Sequence, residues 1–113
     1  MGGMFNKCNK LREIKGLNQF ITNKVTNMYA MFQLCKELEY LDLSNFDTSN
    51  VTDMSFMFYE CNKLKYLNSL NFSINGKTKN MFSYVKKNKC KFNTNNERLR
   101  KIFILLKHLI KLL

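Results

Sequence analysis

The chain has 113 residues and a formal net charge of +11, with four cysteines, one histidine and neither proline nor tryptophan. That length allows one small domain with a modest core. The single histidine, His108, sits among lysines and argues against a His-based catalytic or zinc centre. No N-terminal stretch joins a charged start to an apolar run and a small-residue cleavage site, so no signal peptide is predicted. The longest apolar run near the C-terminus, Ile102 to Leu106, is too short to cross a bilayer.

From the first residue onward the sequence repeats. Met1, Met28, Met54 and Met81 recur at steps of 27, 26 and 27. Between them Met4, Met31 and Met57 align, as do Phe5, Phe32 and Phe58, then Cys8, Cys35 and Cys61, then Leu11, Leu38 and Leu64. Phe20, Phe46 and Phe72 fall 26 apart. A period in this range predicts repeats, here residues 1–27, 28–53 and 54–80, each unable to bury its apolar side without a neighbour. Because Met1 shares its repeat position with Met28 and Met54, the expectation is either a fragment of a longer array, needing flanking repeats, or a degenerate paralogue of one.

Within a repeat, Leu38, Leu41, Leu43 and Phe46 have leucine-rich-repeat spacing, with Phe where Asn is commoner. Alternation through residues 40–44 predicts a short strand with Leu41 and Leu43 inward. Tyr40, Asp42 and Ser44 then face outward, with Arg12, Glu13 and Lys15 as counterparts in the first repeat and Tyr66 and Asn68 in the third. Asp47-Thr48-Ser49-Asn50 is turn and cap chemistry, with Asn50 the expected helix cap. Val51, Met54, Met57, Phe58 and Cys61, at steps of three and four, predict a short helix after it. The expected fold is α/β: a leucine-rich-repeat-like solenoid of short parallel strands and short helices, about three repeats, with a C-terminal amphipathic helix.

The run LDLSNFDTSNVTDMSFMFYECNKL resembles the repeat of the BspA-like leucine-rich-repeat surface proteins, closely in the central repeat and more weakly over residues 1–82. The first repeat departs from the pattern by inserting Gly16, and the third by an insertion near Ser69. The resemblance implies a cell-surface or secreted repeat protein, whose partner is a protein on a host or neighbouring cell. The missing signal peptide leaves a cytoplasmic or truncated product as the alternative.

Residues 83–96 read as a basic degenerate repeat or linker, with Lys86, Lys87, Lys89 and Lys91 closely spaced. The charge is uneven. The 28–53 repeat sets Lys36 against Glu37, Glu39, Asp42, Asp47 and Asp53, while residues 81–113 carry most of the excess cations. No aromatic-interleaved pattern accompanies these lysines, so nucleic acid is not a predicted partner.

Residues 97–113 predict a basic amphipathic helix. Leu99, Ile102, Phe103, Leu106, Leu109, Ile110 and Leu113 share one side. Arg98, Arg100, Lys101, Lys107 and Lys111 supply the cationic flank. It can fold back as a cap over the last repeat, or lie on an anionic membrane surface or other polyanion. Glu97 in the first turn and Lys111 in the last suit the helix dipole.

Cys8, Cys35 and Cys61 occupy one repeat position, which makes them buried apolar side chains or, between adjacent repeats, a disulfide pair. Cys90 is out of phase and expected to be exposed. Asn50-Val-Thr52 and Asn71-Phe-Ser73 are glycosylation sequons that matter only in a eukaryotic secreted protein. No organised nucleophile, phosphate loop or metal-ligand spacing is present, so the sequence predicts a non-enzyme without cofactor. Three readings remain: protein binding through the strand face, membrane or polyanion binding through the final helix, or a fragment with no independent function, since so few repeats lie near the lower limit for a stable array.

Overall fold

The computed structural model describes residues 1–86 and 89–112, with the side chains of the C-terminal helix described as far as Ile104. Three strands, β1 (Tyr40–Asp42), β2 (Tyr66–Asn68) and β3 (Lys91–Asn93), form a parallel sheet in that order. Tyr40 pairs with Tyr66 and Tyr66 with Lys91; Leu41 pairs with Leu67 and Leu67 with Phe92. Leu41 and Leu67 are buried while their neighbours face outward, as an alternating three-residue strand over a core requires. One α-helix among the described residues, α1 (Glu97–Leu112), follows.

Two strand positions differ from the sequence expectation. The first repeat forms no strand: Glu13 makes an isolated parallel bridge to Tyr40, and the Arg12 carbonyl accepts the Glu39 N–H at 2.8 Å. The third strand instead comes from residues 83–96, the stretch expected to be a degenerate repeat or linker. Its Lys91 N–H donates to the Lys65 carbonyl at 2.8 Å, just as the Tyr66 N–H donates to the Glu39 carbonyl at 3.1 Å.

No helix forms at the expected positions, over residues 51–61 and their counterparts, where tight turns stand instead; the described repeats hold one 3-10 turn, at Leu17–Gln19. Met31 N–H donates to the Met28 carbonyl and Cys35 N–H to the Phe32 carbonyl, each bond spanning three residues. The alternate N–H groups leave their own repeat altogether. Ala30, Phe32 and Leu34 donate to the carbonyls of Ser55, Met57 and Tyr59 at 2.8 to 2.9 Å. Phe56, Phe58 and Glu60 donate in the same way to Lys79, Met81 and Ser83. An N–H committed to the next layer cannot also close an intrahelical bond. Ala30, Leu34, Phe56 and Glu60 accordingly take positive φ, from 54° to 61°. Apolar steps of three and four arise equally from successive turns, which is why the period suggested a helix.

The interlayer bonds also correct the register. Met81 aligns with Met57 and Met31, not with Met54, because Phe58 bonds Met81 where Phe32 bonds Met57. β1 to β2 and Phe46 to Phe72 keep the 26-residue step, so nothing is inserted near Ser69; the third repeat is shorter by two residues instead, with Lys77 bridging Asp53, and β2 to β3 steps by 25. Gly76 lies at that shortening. A Cβ there would stand 2.0 Å from the Thr52 carbonyl oxygen, so only glycine fits. Gly16, the insertion in the first repeat, takes φ of 84°.

Inside, identical residues stack on one another. Phe5, Phe32, Phe58 and Phe82 form a column with ring centroids 5.4 to 5.8 Å apart and planes within 5° of parallel. Met31, Met57 and Met81 are buried beside them. Cys35 and Cys61 are free buried thiols, each donating to the carbonyl of the preceding layer's phenylalanine, Phe5 and Phe32, at 3.1 Å. Cys90, expected to be exposed, is buried as well.

Asparagine amides clamp the layers outside this core. Asn50 donates to the Asn23 carbonyl at 2.6 Å, Asn71 to Ser44 at 2.7 Å and Asn75 to Ser49 at 2.8 Å. Asn50 is thus an interlayer clamp and not the helix cap expected of it. Asn96 does cap α1, its Oδ1 accepting the Leu99 N–H at 2.8 Å. The first turns of α1 bury Leu99 and Phe103, and Phe103 meets Phe82 edge-on and Phe92 face-on. No described helix is long and apolar enough to cross a membrane.

Candidate functional site

Parallel pairing without stagger places equivalent residues side by side. On the outward face of the sheet, Tyr40, Tyr66 and Lys91 form one row and Asp42, Asn68 and Asn93 the next. Tyr40 is 52% exposed and Tyr66 is half-buried. Below them runs a charged ladder. Glu39 accepts from Arg12 at 3.4 Å on one side and pairs with Lys65 at 3.5 Å on the other. Burial of Glu39 would raise its pKa, but Lys65 and Arg12 outweigh that and hold it below the usual carboxylate value. Lys63 to Glu37 at 2.9 Å and Lys36 to Glu60 at 3.8 Å cross the same junction. The acidic middle repeat and its basic neighbours therefore compensate one another where they stack.

The residues expected on this face separate by task. Tyr40 and Tyr66 come together with Asp42 and Asn68. Asp42 and Asn68 also work for the fold, since their Oδ1 atoms accept the N–H groups of Ser44 and Leu70 at 3.0 and 3.1 Å and so turn the chain out of each strand. Ser44 is half-buried there. Arg12 reaches the sheet through Glu39. Glu13 bridges Tyr40, and Lys15 pairs with Glu13 at 3.9 Å. Beside the ladder a groove of about 650 Å³ is lined by Lys63, Lys65, Lys86 and Lys89 together with Glu39, Asn62 and Leu64.

The helix residues divide differently. Arg98 and Lys101 are exposed. Arg100 pairs with Glu97 and donates to the Thr94 carbonyl at 2.6 Å, so its guanidinium secures the start of α1. Lys107 and Lys111 lie outside the described side chains, as does His108, and Lys87 lies outside the described residues.

Sequence reasoning missed a second group of rings on the turn side, Tyr29 and Tyr84 exposed and Phe56 and Tyr59 half-buried, with neighbouring centroids 5.2 to 5.7 Å apart. Its signal was present as the positions where the repeats disagree, but the period directs attention to positions where they agree.

A family model described as "Mycoplasma protein of unknown function, DUF285" matches residues 1–97. No curated protein and no solved structure matches the chain.

Proposed function

We propose that this chain, which belongs to the DUF285 family, is a non-catalytic protein-binding module and a segment of a BspA-like leucine-rich-repeat solenoid. Its strand face meets a protein on a host or neighbouring cell. The observation that carries this reading is the in-register pair Tyr40 and Tyr66, standing outward on the sheet beside the Arg12–Glu39–Lys65 ladder. Exposed tyrosines supply rigid amphipathic anchors, and a polar surround fixes register. The same resemblance motivates a place outside the cell, which protease shaving of intact cells would test.

The test of binding is adhesion of beads coated with the full chain to host-cell monolayers, compared with beads carrying the Tyr40→Ser, Tyr66→Ser double variant. Adhesion should fall at least about tenfold with the melting temperature unchanged. Equal adhesion by both would sink the strand-face reading. The membrane or polyanion alternative draws on the other surface, and the burial of Leu99 and Phe103 weakens it by committing the first apolar turns of α1 to the core. Binding to anionic vesicles that is lost in Arg98→Glu, Lys101→Glu would favour that alternative.

A further inference from the structure

We infer a second interaction surface, independent of the strand face: the row Tyr29, Phe56, Tyr59 and Tyr84 receives a protein segment bearing apolar side chains flanked by acidic ones.

The repeat is its own control. Interlayer hydrogen bonds place Ser55 and Lys79 where Tyr29 stands, because the three carbonyls accept from Gly3, Ala30 and Phe56. They likewise place Gly3, Ala30 and Asn80 where Phe56 stands, Gln33 and Ser83 where Tyr59 stands, and Lys7, Leu34 and Glu60 where Tyr84 stands. The fold therefore accepts small or polar residues at the Tyr29, Phe56 and Tyr59 positions, and a lysine or glutamate at that of Tyr84. Contrast the inner column, where every described layer carries phenylalanine.

The aromatics are also poorly suited to their backbone. Phe56 and Tyr84 take φ of 59° and 67°, a region that bulky side chains avoid. Tyr84 remains 65% exposed and Tyr29 43%. Four contiguous rings across three layers, unneeded by the fold and partly open to water, form the kind of patch that marks an interaction site.

Charge and ring geometry identify the partner. Lys79 occupies the Tyr29 position one layer beyond Phe56, and Lys7 occupies the Tyr84 position in the first layer. Both are exposed, and neither makes an ion pair with a described residue. The one carboxylate at these positions, Glu60, is taken up by Lys36 at 3.8 Å. The row is thus flanked by uncompensated cations at opposite corners, which favours an acidic partner. Its rings are tilted by 56° to 89° and offer clefts between edges, not the coplanar faces on which a sugar chain lies.

The experiment selects phage-displayed random dodecapeptides on the immobilised full chain and measures the recovered peptides against variants. Tyr29→Ser, Phe56→Asn and Tyr59→Ser each install a residue the repeat already carries at that position, so the melting temperature should stay within a few degrees. The expected peptides have an aromatic or aliphatic anchor between acidic residues. Their Kd weakens at least about tenfold in the triple variant and is unchanged in Tyr40→Ser. Binding also weakens as salt rises. Recovery of no binder, peptides without acidic flanks, or affinity indifferent to the three substitutions would overturn the inference. So would a neutral oligosaccharide, maltohexaose, occupying the row in place of peptide. Should the triple variant melt early, Tyr29→Ser alone carries the comparison, since Ser55 and Lys79 show that the position tolerates polar residues.

Discussion

Phe32 and Phe58 stack face to face with ring centroids 5.8 Å apart and planes 3° from parallel, both fully buried. Phe82 continues the column 5.4 Å beyond Phe58. The spacing lies in the range of offset-stacked rings and near that of adjacent strands, so the ring column and the backbone ladders share one repeat distance. Phe58→Ala would leave a cavity bounded by two stacked rings that cannot both move in. It should cost about 3 to 5 kcal/mol in urea unfolding, and Phe58→Leu visibly less. A loss under about 1 kcal/mol for the alanine variant would mean that the column is not the core.

Thr48 performs a buried two-way task on the other side of the layer. Its Oγ1 donates to the Ser73 carbonyl at 3.0 Å and accepts the Ser73 N–H at 2.8 Å, and Thr22 repeats the arrangement with Asp47. Valine preserves the shape but strands both backbone groups away from water. Thr48→Val should therefore destabilise by about 1 to 3 kcal/mol, more than Thr52→Val, whose site is exposed. Equal effects at the two sites would show that the buried bonds carry no net weight.

Gly76 fixes where the third repeat is shortened. Any Cβ there would collide with the Thr52 carbonyl, which already accepts the Lys77 N–H at 3.0 Å. Gly76→Ala should push the chain around Gly76 locally away from Thr52. Hydrogen exchange at Lys77 would then speed up, whereas Gly16→Ala, with open space around its Cβ, would act only through its positive φ.

How much of this was legible in the residues follows from which interactions are local. The recurrence of Met, Phe and Cys exposes the interior because every layer must meet the next with the same shape, and the alternation around Leu41 marks the strand. The turns after Asn50 were misread because an apolar period of three to four is shared by a helix and by stacked turns. What separates them is where the N–H of Ala30 or Phe56 goes, a bond to a residue 25 or 23 positions away. Met81 misled in a related manner: its identity matches Met54, but the two-residue shortening at Gly76 shifts it onto Met57. The outward tyrosines at 40 and 66 followed from strand alternation. The ring row at Tyr29, Phe56, Tyr59 and Tyr84 did not, since it joins different repeat positions that only the stack brings together.

Glu39 makes the stack sensitive to acid. Burial pushes its pKa up, but Lys65 and Arg12 push harder in the opposite direction, so the folded value lies below the ordinary 4.5. A depressed carboxyl contributes stability above its unfolded pKa and loses it as pH falls through the folded one. The chain should therefore lose stability as pH falls below about 4.5, and Glu39→Gln should flatten that part of the profile. An unchanged acid limb in the variant would assign the sensitivity elsewhere, first to Asp47, whose pKa is lowered by the Ser49 hydroxyl and N–H.

The thiol column should be chemically quiet while the layers stay together. Burial, with the neighbouring Cys8 thiol, pushes Cys35 up to about 11, and burial pushes Cys61 upward as well. Relative to an ordinary 9.0, that shift leaves about a hundredfold less Cys35 thiolate at pH 8. Full enclosure adds a second barrier, since iodoacetamide must reach sulfur through packed phenylalanines. Peptide mass spectrometry after labelling at pH 8 should find Cys8, which is only half-buried, modified first. Cys35 and Cys61 should react only at the rate of opening, and all should react promptly in urea. Native labelling of Cys35 as fast as Cys8 would mean that the first two layers separate readily. The junction at Phe5 and Phe32 would then be the weak plane of the stack, despite rings only 5.5 Å apart.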